Sequence, residues 1–345
     1  MFISGIGIVF TRGRGIDSFE KALKEGWRAP SWTGSLPVYR VSQETLADAS
    51  LTKKIRRADK FTKMALFSAF DAYMNSGIIA ENNEKLGIIL STAFGPHSTT
   101  FSFIDDMLDY GDANVSPTKF SNSVHNAAVS YVSSVLGIRG PTVTLAQFSF
   151  PFQNALILAG LWLNEGRCEH VLCGCVDELN TVMEYACKMK LKTATDGKIM
   201  PFMFSPAPLS VPGEGGAFFM LSKEKCENNY GEVTGISFSG KTNGKPDITI
   251  IDTDGMTGDE TGYRETAYST VAGYSPLFGS MLIGSAFNFA AASLMLKKQI
   301  AYECPVPDNA SGVKTYSSTL PAIINEINCV RICRSEKSAI IKLQK

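Results

Sequence analysis

The sequence is poor in histidine, with only His97, His125 and His170 among 345 residues. The unperturbed pKa of histidine lies near neutral pH, and histidine is the most frequent general acid or base in catalysis. A reaction that needs two imidazoles in one site therefore has few residues to draw on.

The sequence has no excess of charge of either sign. It contains 33 Lys and Arg against 33 Asp and Glu, a formal net charge of zero at pH 7. Proteins that bind nucleic acid or acidic membranes carry basic patches, so we expect neither partner. Residues 1–9 enter an apolar strand pattern without a basic leader or a cleavage site. This start predicts no signal peptide and a cytoplasmic protein.

Motifs for metals, disulfides and dinucleotides are also missing. The eight cysteines contain no C-x-x-C pair and have no nearby histidine that would complete a zinc pattern, so buried reduced thiols are expected. The acidic loop 252–260 lacks the D-x-D-x-D-G spacing and the closing glutamate of a calcium site. Gly5-x-Gly7 lacks the third glycine of a dinucleotide fingerprint. We predict no metal and no cofactor.

The longest apolar run, 277–296, reaches membrane-spanning length. It is interrupted by small and polar residues, among them Gly279, Ser285 and Asn288. Such a composition is typical of a helix packed tightly inside a protein. We therefore predict a buried helix and no membrane span.

Residues 140–178 predict a strand, a tight turn, a helix and a second strand. The β-branched run 142–146 indicates a buried strand, and 152–165 carries apolar residues at helical spacing before Gly166. The turn places Ser149 where a nucleophile would sit, beside the free N–H groups of a helix N-terminus. The apolar strand 170–176 belongs in a sheet covered on both faces. The pattern favours a layered α/β fold.

The chain contains a faint internal repeat. At about 150 residues per domain, the length suggests two domains or one duplicated unit. Each half opens and closes with a similar strand, which favours two copies of one α/β unit joined through the polar segment 227–231. We predict an N-terminal half, 1–228, and a C-terminal half, 229–345. The similar pairs are 3–7 with 233–237, and 216–223 with 338–345.

Four short motifs together resemble the β-ketoacyl-acyl-carrier-protein synthases of the thiolase superfamily over essentially the whole chain. Each motif is weak alone, but their order and spacing are specific. The resemblance implies a thiolase-like, duplicated five-layer αβαβα fold and assembly as a dimer. The motifs lie at 4–9, 57–61, 137–142 and 213–217.

The resemblance also implies a cysteine nucleophile, two histidines and a glycine-rich loop near the C-terminus. Matching from Gly140-Pro141 puts Ser149 at the cysteine position. Asp254 falls at the first histidine position, in an H-G-T-x-T pattern, and Ser280 at the second, in a G-H-x-x-G-A pattern. The loop corresponds to 332–336, which contains no glycine. All four features differ from the family pattern.

These replacements remove the groups on which decarboxylative condensation depends. A thiolate forms near neutral pH at a helix N-terminus, whereas a serine hydroxyl needs a positioned base. Losing one donor that stabilises the enolate costs about 3 to 4 kcal/mol, and a carboxylate at Asp254 would repel the enolate charge. The sequence therefore predicts no catalytic residues at Ser149, Asp254 and Ser280.

The resulting hypothesis is a ketosynthase-like subunit that makes no carbon–carbon bonds itself. It resembles the chain-length factors of type II polyketide systems, including those of aryl polyene or flexirubin pathways. Such a subunit pairs with an active ketosynthase and works with an acyl carrier protein.

Two alternatives stay open. In the first, Ser149 serves an acyltransferase or thioesterase that acts on acyl-carrier protein or acyl-CoA, with His125 or Asp254 as its base. In the second, the chain is a homodimer that holds acyl chains without processing them. His125 is the histidine expected nearest the pocket, although a capping or interface role is common for such a residue. Phe148 and Phe150 flank Ser149 and either plug an acyl tunnel or belong to the core.

Overall fold

A computed structural model of the chain describes residues 1–51, 53–78, 83–206, 208–238, 245–257, 260–266, 269–333 and 337–345. The fold is mixed α/β. Its helices are α1 (Ile16–Glu25), α2 (Lys60–Ser76), α3 (His97–Tyr110), α4 (Pro117–Asn122), α5 (Ala127–Leu136), α6 (Pro151–Asn164), α7 (Thr181–Lys190) and α8 (Gly284–Lys298). Its strands are β1 (Phe2–Phe10), β2 (Gly13–Arg14), β3 (Ser31–Thr33), β4 (Leu36–Val38), β5 (Leu86–Thr92), β6 (Thr142–Ala146), β7 (His170–Asp177), β8 (Gly215–Ser222), β9 (Glu232–Phe238), β10 (Ile248–Ile251), β11 (Thr270–Ala272), β12 (Ile300–Ala301), β13 (Leu320–Pro321), β14 (Glu326–Ile332) and β15 (Ser338–Gln344).

Two sets of five strands share one topology. The first set runs β1-β8-β7-β5-β6 and the second runs β9-β15-β14-β10-β11. In each set the first two pairings are antiparallel and the last two are parallel. The sets meet where Phe2 pairs with Glu232. The strands β1 and β8 thus correspond to β9 and β15, the segments whose sequences are similar, while the boundary at 228/229 stays a prediction.

Two helices lie against both sets of strands. The helices α6 and α8 contribute to one apolar cluster with residues of β1, β7, β8 and β14. Phe152 of α6 and Phe289 of α8 make an edge-to-face contact with ring centroids 5.1 Å apart. The helices α2 and α5 cover the opposite face of the first set in a second cluster. The helix that follows Ser149 is therefore packed against both sets of strands.

The apolar run 277–296 forms no membrane helix. Its second part belongs to α8, whose residues from Gly284 to Leu296 are all buried inside the protein. Among the described residues, no helix is both long enough and apolar enough to cross a membrane.

The serine-rich segment 121–136 contains the end of one helix, a short connection and a second helix. The helix α4 ends at Asn122 and α5 begins at Ala127, so His125 lies in the connection between them. The second helix packs Ala128, Val129 and Val132 into the apolar cluster that also contains residues of α2.

Candidate active site

The predicted strand–turn–helix forms at the predicted place. The strand β6 ends at Ala146, and α6 begins with Pro151 at a position where a missing N–H costs nothing. Phe150 caps the helix with a left-handed backbone, φ 54° and ψ 44°. A non-glycine residue rarely adopts this conformation, and it is found where the surroundings impose a sharp turn. The turn leaves Ser149 exposed to solvent.

A cavity of about 610 Å³ opens beside this turn. Ser149 and His125 both line it, together with Phe148 and Phe94. A methyl group added at Gly95 would lie 2.5 Å from the His125 ring, so the glycine permits the close approach of the histidine to the backbone. The structure therefore brings Ser149 and His125, two residues singled out from the sequence, to one pocket.

The two phenylalanines on either side of Ser149 have different surroundings. Phe148 is 63% exposed and its ring lies 5.4 Å from that of Phe94 at the cavity. Phe150 is 6% exposed and packs against Phe238 at the end of β9, with centroids 5.4 Å apart. Phe150 therefore belongs to the core, while Phe148 belongs to the pocket.

The positions of the two expected histidines meet in the buried interior. Asp254 and Ser280 are 1% and 4% exposed. The Ser280 hydroxyl accepts a hydrogen bond from the Val211 N–H, 2.9 Å away, and donates one to the Asp254 carbonyl oxygen. The Ser280 hydroxyl thus accepts one hydrogen bond and donates one, both with backbone groups.

Arg331 forms a buried ion pair with Asp254. Its Nη1 atom lies 3.0 Å from one Asp254 oxygen and 3.1 Å from an oxygen of Asp252. Ser285 and Asn288 of α8 also donate hydrogen bonds to the Asp252 carboxylate. Gln153 in the first turn of α6 donates in turn to Ser285, at 3.0 Å, which connects the cluster to the helix that follows Ser149.

Burial is the largest influence on the ionisation of Asp254 and Glu260. It raises the pKa of Asp254 to about 6, although Arg331 opposes the shift. Burial and the neighbouring Asp254 charge raise the pKa of Glu260 to about 8. One Glu260 oxygen accepts the N–H groups of Asp254 and Gly255, at 3.1 and 2.9 Å. At neutral pH Glu260 is therefore largely protonated.

Sequence reasoning missed Arg331 and Cys333. Arg331 is the one cation in the apolar strand β14, and a fully buried arginine requires an acidic partner. A single arginine in this strand is the signal that could have indicated a buried ion pair. Cys333 follows β14, and its thiol lies near the Ser149 side chain. Burial raises the pKa of this thiol, although the neighbouring Ser149 side chain lowers it. Residues 334–336 of the predicted loop lie outside the described residues.

The acidic loop contains no arrangement suited to a metal in the part of the chain that the structure describes. No group of three His, Cys, Asp or Glu side chains there converges on one point. Asp252 and Asp254 contact Arg331 instead, while 258–259 lie outside the described residues.

Comparison with known proteins gives one family. The family model "Beta-ketoacyl synthase, N-terminal domain" matches residues 43–189. A 3-oxoacyl-[acyl-carrier-protein] synthase 2 of Coxiella burnetii is 26% identical over 153 residues. That match covers 41% of this chain and 37% of the relative, so this chain aligns with little more than a third of that protein.

Solved structures resemble the chain over its full length. A β-ketoacyl synthase from Burkholderia phymatum has a TM-score of 0.80 at 14% identity, covering 100% of this chain and 98% of that one. The ishigamide ketosynthase/chain length factor has a TM-score of 0.78 at 13% identity, with the same coverage. A type II polyketide ketosynthase bound to the hexaketide and in complex with its acyl carrier protein has a TM-score of 0.78 at 12% identity, covering 99% and 98%.

These findings confirm the thiolase-like fold and the resemblance to β-ketoacyl-acyl-carrier-protein synthases. At such low identity the structural likeness shows the fold alone, because one fold supports many activities.

Proposed function

We propose that the chain is a non-catalytic, chain-length-factor-like subunit that pairs with an active β-ketoacyl-acyl-carrier-protein synthase in fatty acid or polyketide biosynthesis. The observation that carries the proposal is the Asp254–Arg331 ion pair, which occupies the expected position of the first histidine. A cytoplasmic location and an aryl polyene or flexirubin pathway remain predictions from the sequence.

The chemistry of the cluster supports the loss of condensation. A carboxylate balanced by a buried arginine offers no hydrogen-bond donor to a developing enolate, and Ser280 has both its polar groups in use. Ser149 has a thiol neighbour but no imidazole among its hydrogen-bond partners within the described residues. A hydroxyl without a base is a weak nucleophile.

The surface around Ser149 supports pairing with another subunit. The strand β6 is the outer strand of its set, and its burial pattern is that of an open edge. The parallel strands β5, β6 and β7 end on one side of the sheet, so α3, the turn at Phe148 and α7 begin there. Exposed apolar side chains follow a helical spacing on α3 and α7. They are Phe101, Ile104 and Leu108 on α3, and Val182, Tyr185 and Met189 on α7.

The test is an elongation assay with the purified chain, malonyl-acyl carrier protein and an octanoyl-acyl carrier protein primer. We expect no elongated product from the wild type or from Ser149→Cys, since restoring the thiol leaves Asp254 and Ser280 in place. Co-expression with a cysteine-bearing ketosynthase of the same organism is expected to give a stable heterodimer. Elongation by the chain alone at an ordinary turnover rate would contradict the proposal.

A second candidate is a Ser149-dependent acyltransferase or thioesterase. The shared cavity of Ser149 and His125 favours it. In that reaction the Ser149 hydroxyl attacks an acyl thioester, its proton passes to His125, and the carrier thiol leaves. Intact-mass measurement after incubation with octanoyl-CoA decides between the two candidates. An octanoyl adduct that disappears in both Ser149→Ala and His125→Gln supports the enzyme.

The third reading is a homodimer that holds acyl chains without processing them. The same exposed apolar surface would then be buried between two copies of the chain. Retention of a stable homodimer when the ketosynthase is co-expressed would favour this reading over the heterodimer.

A further inference from the structure

A second cavity lies at the opposite end of β10 from the Asp254 cluster. Its volume is about 600 Å³, and it is bounded by the residues that precede β10 and β11 and by the segment 311–314. Asp252 follows the last residue of β10, whereas Asp247 precedes its first. The four residues of β10 separate the two, so five residue-to-residue steps of extended chain give a span of roughly 16 Å. This cavity is therefore separate from the candidate active site.

The cavity gathers three cations from three different segments. They are Lys245 before β10, Arg264 in the short helical turn Thr261–Thr266, and Lys314 in the segment beside β11. Within the described ranges none of the three forms an ion pair with a carboxylate, in contrast to Arg331. The net positive charge of the lining is unusual in a chain whose overall charge is zero.

One acidic residue, Asp247, lines the same cavity. One of its carboxylate oxygens accepts the backbone N–H groups of Asn325 and Glu326, at 2.7 and 3.1 Å. Those hydrogen bonds stabilise the Asp247 carboxylate without using any of the three cations. Among the described residues that line the cavity, the positive charges therefore exceed the negative ones by two.

The polar floor of the cavity is held in place by the sheet. Ser269 is 8% exposed and its hydroxyl lies 2.8 Å from that of Thr249 in β10. The Val271 N–H of β11 donates to the Lys314 carbonyl oxygen, at 2.7 Å, and fixes that segment on the strand. The Ser311 hydroxyl accepts a hydrogen bond from the Phe204 N–H, at 3.4 Å. The backbone that presents the hydroxyls and Lys314 is thus ordered before any ligand arrives.

Arg264 has a similarly fixed backbone. Its neighbour Tyr263 is fully buried, and the Tyr263 hydroxyl donates to the Asp252 carbonyl oxygen and accepts the Ile332 N–H, both at 3.0 Å. The turn carrying Arg264 is therefore anchored to the core, and only the side chain has to reorient on binding.

From these observations we infer that this cavity is a binding site for a small phosphate-bearing molecule. Arginine and lysine are the side chains that bind phosphate, by paired hydrogen bonds and as point charges, and serine hydroxyls complete such sites. A volume of about 600 Å³ is within the range of small-molecule pockets and admits a ligand of nucleotide size. The site is independent of the proposed pairing with a ketosynthase.

The experiment is isothermal titration of the full chain with inorganic pyrophosphate at low salt. We expect saturable binding at one site per chain, and an Arg264→Gln/Lys314→Gln double variant that binds at least about tenfold more weakly, since it loses two charged contacts. Both side chains are exposed, so the double variant is expected to keep the wild-type circular dichroism spectrum and melting temperature.

The matched control is the double variant Arg139→Gln/Lys223→Gln, which removes the same charges from exposed positions outside the cavity. Arg139 precedes β6, at the other edge of the sheet from β11. The control is expected to bind pyrophosphate as the wild type does. Equal affinity in the Arg264/Lys314 variant, equal weakening in the control, or no saturable binding by the wild type would each overturn the inference. None of these results depends on a ketosynthase partner.

Discussion

The guanidinium of Arg331 lies 3.0 Å from the carboxylate of Asp254, and both side chains are at most 3% exposed. The pair joins the end of β14 to the segment after β10, which are neighbouring strands of the second set. It fills with opposite charges a place where the sequence resemblance implied an imidazole. Hydrogen bonds from Ser285 and Asn288 to the Asp252 carboxylate hold the neighbouring acidic group in place.

Removal of the arginine tests how far the fold depends on this pair. Arg331→Met leaves the Asp252 and Asp254 carboxylates buried without a cation, so we expect the free energy of unfolding to fall by about 3 to 5 kcal/mol. Urea denaturation measures the change. Adding Asp254→Asn is expected to recover part of the loss, because one uncompensated charge disappears. A loss below about 1 kcal/mol for Arg331→Met would contradict the buried-pair interpretation.

The raised pKa of Glu260 predicts a pH dependence of stability. Its folded-state pKa of about 8 lies above the ordinary value of 4.5, so the folded chain binds the proton more tightly than the unfolded chain. The contribution to stability is complete below about pH 4.5 and is lost as the pH rises through about 8. Over this interval the Glu260 carboxyl is expected to lower the free energy of unfolding of the wild type by roughly several kcal/mol. Glu260→Gln is expected not to show this decrease.

Urea denaturation of the wild type and Glu260→Gln between pH 5 and 8.5 measures the difference. The exposed residue Glu224 provides the control, since Glu224→Gln is expected to follow the wild type at every pH. Parallel curves for the wild type and Glu260→Gln would show that the Glu260 carboxyl does not titrate in this range.

Gly95 controls the position of His125. An alanine methyl at Gly95 would lie 2.5 Å from the imidazole, and the backbone there has φ 68°. Gly111 has φ 78° with open space around it, so Gly111→Ala gives the backbone strain without the contact. The exposed His125 ring can move away from the added methyl. We therefore expect both variants to lower the free energy of unfolding by a similar amount, about 1 kcal/mol.

The position of the ring distinguishes these two glycine variants. The chain has three histidines, so the imidazole resonances are resolved by NMR. Only Gly95→Ala is expected to shift the His125 resonance. An unchanged resonance in that variant would mean that the ring does not approach Gly95 in solution.

The exposed apolar residues of α7 provide a test of the proposed interface. Tyr185 is 66% exposed, and Tyr185→Lys places a charge where an apolar contact with a partner is expected. We expect co-purification with the ketosynthase to fall at least about tenfold. Ile323 in the C-terminal half is 84% exposed, and Ile323→Lys is the matched control that keeps full pairing. Equal pairing by both variants would place the interface elsewhere.

Local patterns along the chain determined much of the fold. The β-branched run at 142–146, the helical spacing after Pro151 and the apolar strand at 170–176 all formed where they were predicted. The prediction that 142–146 is buried was wrong, because β6 is the outer strand of the sheet and both its ends are exposed. These elements depend on interactions between residues close in sequence and on burial of an apolar face. The similar strand pairs likewise occupy corresponding places in the two sets.

Only the tertiary structure decided which polar groups meet. Arg331 and Asp254 are 77 residues apart, and His125 and Ser149 share a cavity although α5 and β6 separate them along the chain. Such contacts follow from how the strands are ordered and how the helices pack, which no local pattern encodes. The sequence by itself determined that Ser149 lies in a turn between a strand and a helix. Packing decided that Arg331 contacts Asp254, because a buried charge is stable only where the fold brings it an opposite one.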